Sequence, residues 1–250
     1  MILVLGGTKD ARLAVEMLTA RGHRVLACAA TVYGGELLAG AGAALVSDRP
    51  LGRQELAALL DNHAIRAVID ATHPYAAAIS ALAAELCAEK GIPCYRYQRP
   101  ETILPEHPLL TFADDYEAAA ALAVELGEII FLTTGSKTLD TFVKAARARG
   151  RRVVARVLPD PQVLARCLSL GLTPADIVAV QGPFSRELNR ALFQHYGARV
   201  LVTKDSGTAG GTLEKIEAAL ELAIPVVVVG RPEPVKGWRA DLEELIRVLQ

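Results

Sequence analysis

The sequence has little of what would mark it for a metal, a membrane or a nucleic acid. Its four cysteines, Cys28, Cys87, Cys94 and Cys167, form no CxxC pair, and its five histidines, His23, His63, His73, His107 and His195, are scattered without ligand spacing. No metal site is therefore expected, and a chain with so few cysteines reads as a reduced, cytoplasmic protein. Aromatic residues make up only 5% of the chain, too few for the stacking platforms that hold single-stranded nucleic acid. Charge of one sign is also missing: 27 Lys and Arg face 28 Asp and Glu, so nothing global draws the chain to nucleic acid or an anionic membrane. Aliphatic runs such as Val226–Val229 fall far short of the roughly 20 residues that span a bilayer. The opening run Ile2–Leu5 has no basic region before it and reads as a strand rather than a signal peptide. There is no GxSxG nucleophile elbow, no GxxxxGK[ST] phosphate loop and no HExxH. No tyrosine is followed four residues later by lysine, since Tyr95 meets Arg99, which counts against a short-chain dehydrogenase.

What is present is a 250-residue chain with 52% hydrophobic and 22% charged residues, enough for two small domains with sizeable cores. Short β-branched runs bounded by turn signals read as buried parallel strands. In the first half they are Ile2–Leu5, Arg24–Ala29, Ala43–Val46, Ala67–Asp70 and Pro93–Tyr97, with helices near Asp10–Arg21, Arg53–His63 and Tyr75–Lys90. In the second half they are Leu109–Phe112, Ile129–Thr133, Arg152–Val157, Ile177–Gln181, Arg199–Thr203 and Val226–Val229. Helices near Asp114–Leu126, Thr138–Arg149, Pro161–Leu168, Arg186–Tyr196 and Gly211–Leu222 alternate with them. The stretch from Arg99 to Pro108 is rich in proline and interrupts helix and sheet alike. The fold class expected is α/β: two Rossmann-like, doubly wound parallel-sheet domains, 1–98 and 109–250, joined by a linker over 99–108, with a ligand cleft between them.

The turns that follow the strands carry the chemistry. Gly6-Gly7-Thr8-Lys9-Asp10 leaves the first strand and opens a helix, which suits a dinucleotide diphosphate, with Thr8 as N-cap. The end of the second strand, Ala29-Ala30-Thr31, offers neither an acid for ribose hydroxyls nor an arginine for a 2′-phosphate. NADH is favoured on that ground, while Arg49 or Arg53 reaching in from a neighbouring loop leaves NADPH open. After the fourth strand, Thr72, His73 and Tyr75 are candidate cofactor or substrate contacts, with Thr72 as a helix cap the plainer alternative. Three later turns combine hydroxyls, helix-start amides and cations suited to anions: Thr134-Gly135-Ser136-Lys137, Ser185-Arg186 and Lys204-Asp205-Ser206-Gly207. Adding Arg12, Arg96, Arg99, Arg156 and Arg231 predicts a basic cleft for a polyanionic substrate, with some of these cations on solvated faces instead.

In order, GGTKDAR at 6–12, DATHPYA at 70–76, YRYQRP at 95–100, TTGSK at 133–137, ARVLP at 155–159, QGPFS at 181–185, and TKDSG with GG and EK at 203–215 resemble the precorrin-6A reductase family of cobalamin biosynthesis. The stretch ATVYGGELL at 30–38 resembles the NADH-using cobalt-precorrin-6A branch more than the NADPH-using one. The resemblance implies an oxidoreductase that transfers hydride from NAD(P)H to the C18–C19 double bond of a polycarboxylate corrinoid. It places Gly6, Gly7, Thr8, Lys9, Asp10, Thr31, Thr72 and His73 at the cofactor. Arg12, Thr134, Gly135, Ser136, Lys137, Ser185, Arg186, Lys204, Asp205, Ser206 and Gly207 then fall at the substrate. His73, Tyr75 and Asp205 are candidate proton donors beside solvent. A short-chain-like reductase or epimerase on another acidic substrate, a non-catalytic dinucleotide-sensing module and, more weakly, a tetrapyrrole methyltransferase are the alternatives. Oligomeric state is left open.

Overall fold

The computed structural model describes residues 1–100, 102–207, 210–231 and 238–249. Its first strands are β1 (Ile2–Leu5), β2 (Val25–Cys28), β3 (Leu45–Ser47), β4 (Ala67–Asp70) and β5 (Cys94–Arg96), all parallel, in the order β3-β2-β1-β4-β5. Side chains alternate between the faces of a strand, so each run supplies two cores. Ile2, Val4, Val25, Ala27 and Ile69 meet α1 (Lys9–Ala20) and α2 (Val32–Gly40) on one face. Leu3, Leu5, Leu26, Cys28 and Val68 meet α3 (Arg53–Asn62) and α4 (Ala77–Lys90) on the other. Near-continuous aliphatic strands are what a sheet covered on both faces requires.

The second sheet holds β6 (Leu110–Ala113), β7 (Ile129–Leu132), β8 (Arg152–Val157), β9 (Ile177–Ala179), β10 (Val200–Lys204) and β11 (Val226–Val229), parallel in the order β6-β11-β10-β7-β8-β9. The helices between them are α5 (Tyr116–Leu126), α6 (Leu139–Ala148), α7 (Pro161–Ser169), α8 (Arg186–His195) and α9 (Thr212–Glu221). One core joins Phe131, Val154, Leu201, Val226 and Val228 of the strands to Phe193 of α8 and Ile216 and Ala219 of α9.

The structure departs from the sequence reading in three places. First, the C-terminal segment belongs to the first unit, not to a domain running over 109–250. The chain divides into Met1–Pro100 with the C-terminal residues from 232 onward, and Glu101–Arg231. Arg239 pairs in parallel with Tyr97, its amide donating to Arg96 O at 2.7 Å and its carbonyl accepting from Gln98 at 3.0 Å. A last helix, α10 (Leu242–Arg247), buries Leu242, Leu245 and Ile246 in the core that α1 lines. Each such side chain contributes about 1.5–3 kcal/mol on burial, and it is α1 that offers the complementary face. Second, the domain change lies inside the expected 99–108 linker, since Arg99 and Pro100 stay with the first unit. Third, α2 was not expected, because Gly34, Gly35 and Gly40 lower its helix propensity. Among the described residues no helix is long and apolar enough to cross a membrane, and all four cysteines are free.

Candidate active site

In the first unit the chain winds outward from β1 through β2 to β3, then returns to place β4 on the other side of β1. The carboxyl ends of β1 and β4 therefore form the switch point where open α/β sheets bind ligands. Gly6 sits there at φ +131°, and a Cβ on it would lie 2.6 Å from Ala71 O. Only glycine lets the backbone pass this close to β4. Thr8 caps α1 by accepting from the Ala11 amide at 3.1 Å while its hydroxyl donates to Ala71 O at 3.0 Å, fixing the turn to the end of β4. Gly7 is exposed, and a Cβ there would stand 3.6 Å from Gly34 Cα, so the starts of α1 and α2 lie side by side. Thr31 caps α2, accepting from Gly34 N at 3.1 Å. Two helix N-termini beside a glycine turn with no side chain to block approach fit a dinucleotide diphosphate.

Below this turn lies a buried network whose members the sequence showed only as a strand end and a loose arginine. Asp70 and Arg96 are register partners on β4 and β5 and form an ion pair of 2.6 Å, their side chains only 3% and 7% exposed. Thr72 accepts from Arg96 at 2.7 Å and donates to Asp70 Oδ1 at 2.7 Å. Arg96 also donates to His73 O at 3.3 Å. His73 Nδ1 in turn accepts from the Tyr75 amide at 3.3 Å, with the two rings 5.6 Å apart. Thr72 is thus no helix cap: α4 begins at Ala77, and Thr72–Tyr75 is a connection held rigidly at the switch point.

Two expected contacts have other work. Asp10 is ion-paired with Arg99 at 2.7 Å, both side chains largely buried, so it fixes the last residues of this unit rather than facing a cofactor. Arg12 lies half-buried on α1 in this unit, with its Nε enclosed and without a hydrogen bond among the described residues. Lys9, by contrast, is exposed at the helix start.

In the second unit the winding reverses between β7 and β10, whose carboxyl ends carry the Thr133–Lys137 and Asp205–Gly207 turns. Thr134 is 3% exposed, and its hydroxyl has no partner among the described residues. Gly135, Ser136 and the exposed Lys137 complete that turn. Ser206 N donates to Thr212 Oγ1 at 3.0 Å, and Thr212 donates to Gly207 O at 3.3 Å, tying the second turn to the start of α9. The proton-donor part expected of Asp205 does not fit its surroundings. Its carboxylate accepts from the Thr102 hydroxyl at 2.7 Å and Gly207 N at 3.0 Å, and pairs with Arg231 at 2.9 Å. Burial would raise its pKa, but these donors outweigh it and hold the carboxyl below its ordinary value. It is an ionised anchor for the turn.

The expected set of available cations changes in the same way. Arg96, Arg99 and Arg231 are consumed by Asp70, Asp10 and Asp205, and Arg186 pairs with Glu221 at 3.0 Å on an exposed surface. Ser185 caps α8. A different cluster takes their place. Arg156 is 8% exposed, donates to Asn189 Oδ1 at 2.7 Å and lies 4.7 Å over the Phe184 ring. Burial pushes its pKa down to about 10. Lys204 is pushed to about 8 by burial and by Lys137. Lys215, on the first turns of α9 and 6% exposed, is pushed to about 7 by burial and then by Arg156 and Lys204. Among the described residues it has no ion pair. Arg156 and Lys215 are buried without an ion pair among the described residues, and their mutual repulsion makes the place suited to anions. Lys215 entered the sequence reading only as part of the EK pair of the resemblance and was given no role, because nothing local separates a buried lysine from a solvated one on an amphipathic helix.

The family model described as Precorrin-6x reductase CbiJ/CobK matches residues 1–250. A cobalt-precorrin-6A reductase of Priestia megaterium is 37% identical over 251 residues, covering 100% of this chain and 98% of that protein. One from Salmonella typhimurium is 38% identical over 234 residues, 93% of this chain and 88% of that protein. The solved structure of CobK precorrin-6A reductase superposes with a TM-score of 0.79 at 27% identity, covering 99% of this chain and 95% of the other. With a family model matched from end to end and relatives of this identity over nearly their whole length, the chain belongs to the precorrin-6x reductase family.

Proposed function

We propose that this protein reduces the C18–C19 double bond of cobalt-precorrin-6A to give the 6B product, with hydride from NADH, in a reducing cytoplasmic compartment. The reading draws its substrate from the relatives, which are named cobalt-precorrin-6A reductases. The observation that carries it is the pair of buried cations Arg156 and Lys215, with the half-buried Lys204 near enough to Lys215 to lower its pKa, a setting suited to a ligand with several carboxylates. Each carboxylate that enters restores favourable charge to lysines that burial has weakened.

In this reading Gly6, Gly7, Thr8, Lys9 and Thr31 hold the dinucleotide diphosphate, and His73 and Tyr75 form a wall beside the nicotinamide. The reduced nicotinamide supplies the hydride. The Asp70–Arg96–Thr72 network keeps that wall in place, so positioning at near-attack distance is the main term the protein contributes. Thr134, Gly135, Ser136, Lys137, Ser206 and Gly207 line the carboxylate receptor. A proton must reach the neighbouring carbon, and with Asp205 held as a carboxylate by its donors, His73, Tyr75 and solvent are its candidate sources. NADH is preferred because the end of β2 carries no cation for a 2′-phosphate, and Arg53, one of two arginines on nearby loops, is held by Glu85 and Glu89.

The test is anaerobic incubation with cobalt-precorrin-6A, and with the metal-free form in parallel, supplying NADH or NADPH. A product two hydrogens heavier, with matching cofactor oxidation, is the expected result. Oxidation of neither cofactor by folded protein that binds NADH would overturn the reading.

A further inference from the structure

The end of β2 lacks the acid that usually takes the ribose hydroxyls of NADH, yet the fold brings one there from the neighbouring strand. Cys28 pairs with Ser47, and Ala29 N donates to Ser47 O at 2.8 Å, so Asp48 follows β3 level with the end of β2. Gly35 makes room for it: a Cβ at Gly35 would lie 2.6 Å from Asp48 Cβ. The adjacent Gly34 is the residue that Gly7 of the diphosphate turn approaches. The close-packed Gly34 and Gly35 of α2 therefore bring Asp48 to the same sheet end as the Gly7 turn, with Gly7 and Asp48 both exposed. Asp48 is exposed, and among the described residues it takes part in no hydrogen bond or ion pair, so its carboxylate has no structural work. Of the two arginines that could compete for a 2′-phosphate, Arg53 pairs with Glu85 at 3.0 Å and with Glu89, while Arg49 is the exposed neighbour of Asp48, whose carboxylate offsets its charge.

We propose that Asp48 is the residue that selects NADH, by accepting from the 2′- and 3′-hydroxyls of the adenosine ribose and repelling a 2′-phosphate at the same place. The proposal rests on the reading that a nicotinamide dinucleotide binds the first unit. A hydrogen bond to a charged acceptor is worth about tenfold to a hundredfold in affinity, and like charge adds to the discrimination. Asp48 being exposed, its replacement leaves the core untouched.

The experiment titrates NADH, NADPH and reduced nicotinamide mononucleotide, which lacks the adenosine half, into the full-length protein and its Asp48→Ser and Asp48→Asn variants, following nicotinamide fluorescence. Both variants should lose about tenfold or more in NADH affinity, gain in NADPH affinity, and bind the mononucleotide as the wild type does, which also reports an intact fold. An unchanged NADH-to-NADPH ratio overturns the proposal alone. Failure of the wild type to bind either dinucleotide overturns the underlying reading and the proposal with it.

Discussion

Replacing Lys215 by methionine should make the ligand-free protein more stable, and by an amount that depends on pH. Methionine keeps most of the volume of the lysine stem and removes the charge. In the folded chain the ammonium falls from 10.5 to about 7, first through burial and then through Arg156 and Lys204. At about 1.4 kcal/mol per pH unit, carrying the charge in the folded rather than the unfolded chain costs on the order of 5 kcal/mol. Relaxation and water entry make this an upper figure. The sign follows from proton counting. Between about pH 7 and 10.5 the unfolded lysine holds a proton that the folded one has lost, so wild-type stability rises with pH across this window. Below pH 7 both states are charged and the folded protein bears the whole cost. Urea unfolding of wild type and Lys215→Met at about pH 6 and about pH 9 should therefore show a stabilising substitution whose margin shrinks at the higher pH. A margin that is flat with pH, or a variant less stable at pH 6, would refute the argument that Lys215 is a buried charge waiting for an anion.

Gly6→Ala should abolish dinucleotide binding and destabilise the first unit, since the added Cβ meets Ala71 O at 2.6 Å in a backbone conformation alanine avoids; NADH titration and thermal unfolding report the two effects. Lys204→Ala should raise the substrate KM with little effect on NADH affinity, and an unchanged KM would remove it from the carboxylate receptor. Asp205→Ala should destabilise the second unit by about 1–3 kcal/mol, because it removes the ion pair to Arg231 and the acceptor of Thr102 and Gly207 N. The wild-type contribution of Asp205, whose folded pKa is lowered, is present above its unfolded pKa and fades as pH falls through the folded one; acid unfolding should thus separate the two proteins least at the lowest pH.

The alternation of strands and helices, and the placing of GGT, DATHPYA, TTGSK and TKDSG at strand-to-helix turns, were legible in the sequence because both are local. A buried parallel strand must be a short aliphatic run, and the residues after it must be those that turn the chain and start a helix. The same local code makes Thr8 a cap and Gly6 a glycine. What each charged side chain does was not legible, because that depends on which strand lies next to which. Arg96 meets Asp70 through the register of β4 and β5, and Asp48 reaches the end of β2 through the register of β2 and β3. Arg99, Arg231 and Asp205 were expected to be free for ligands and are spent on partners up to 103 residues away. The return of α10 to the first unit follows from a match between two apolar faces at opposite ends of the chain. Composition and periodicity therefore set the elements and the ends at which ligands bind, whereas burial and strand register, which exist only once the sheets have formed, left Lys215 and Arg156 buried without an ion pair among the described residues and gave Arg96, Arg99 and Arg231 acid partners.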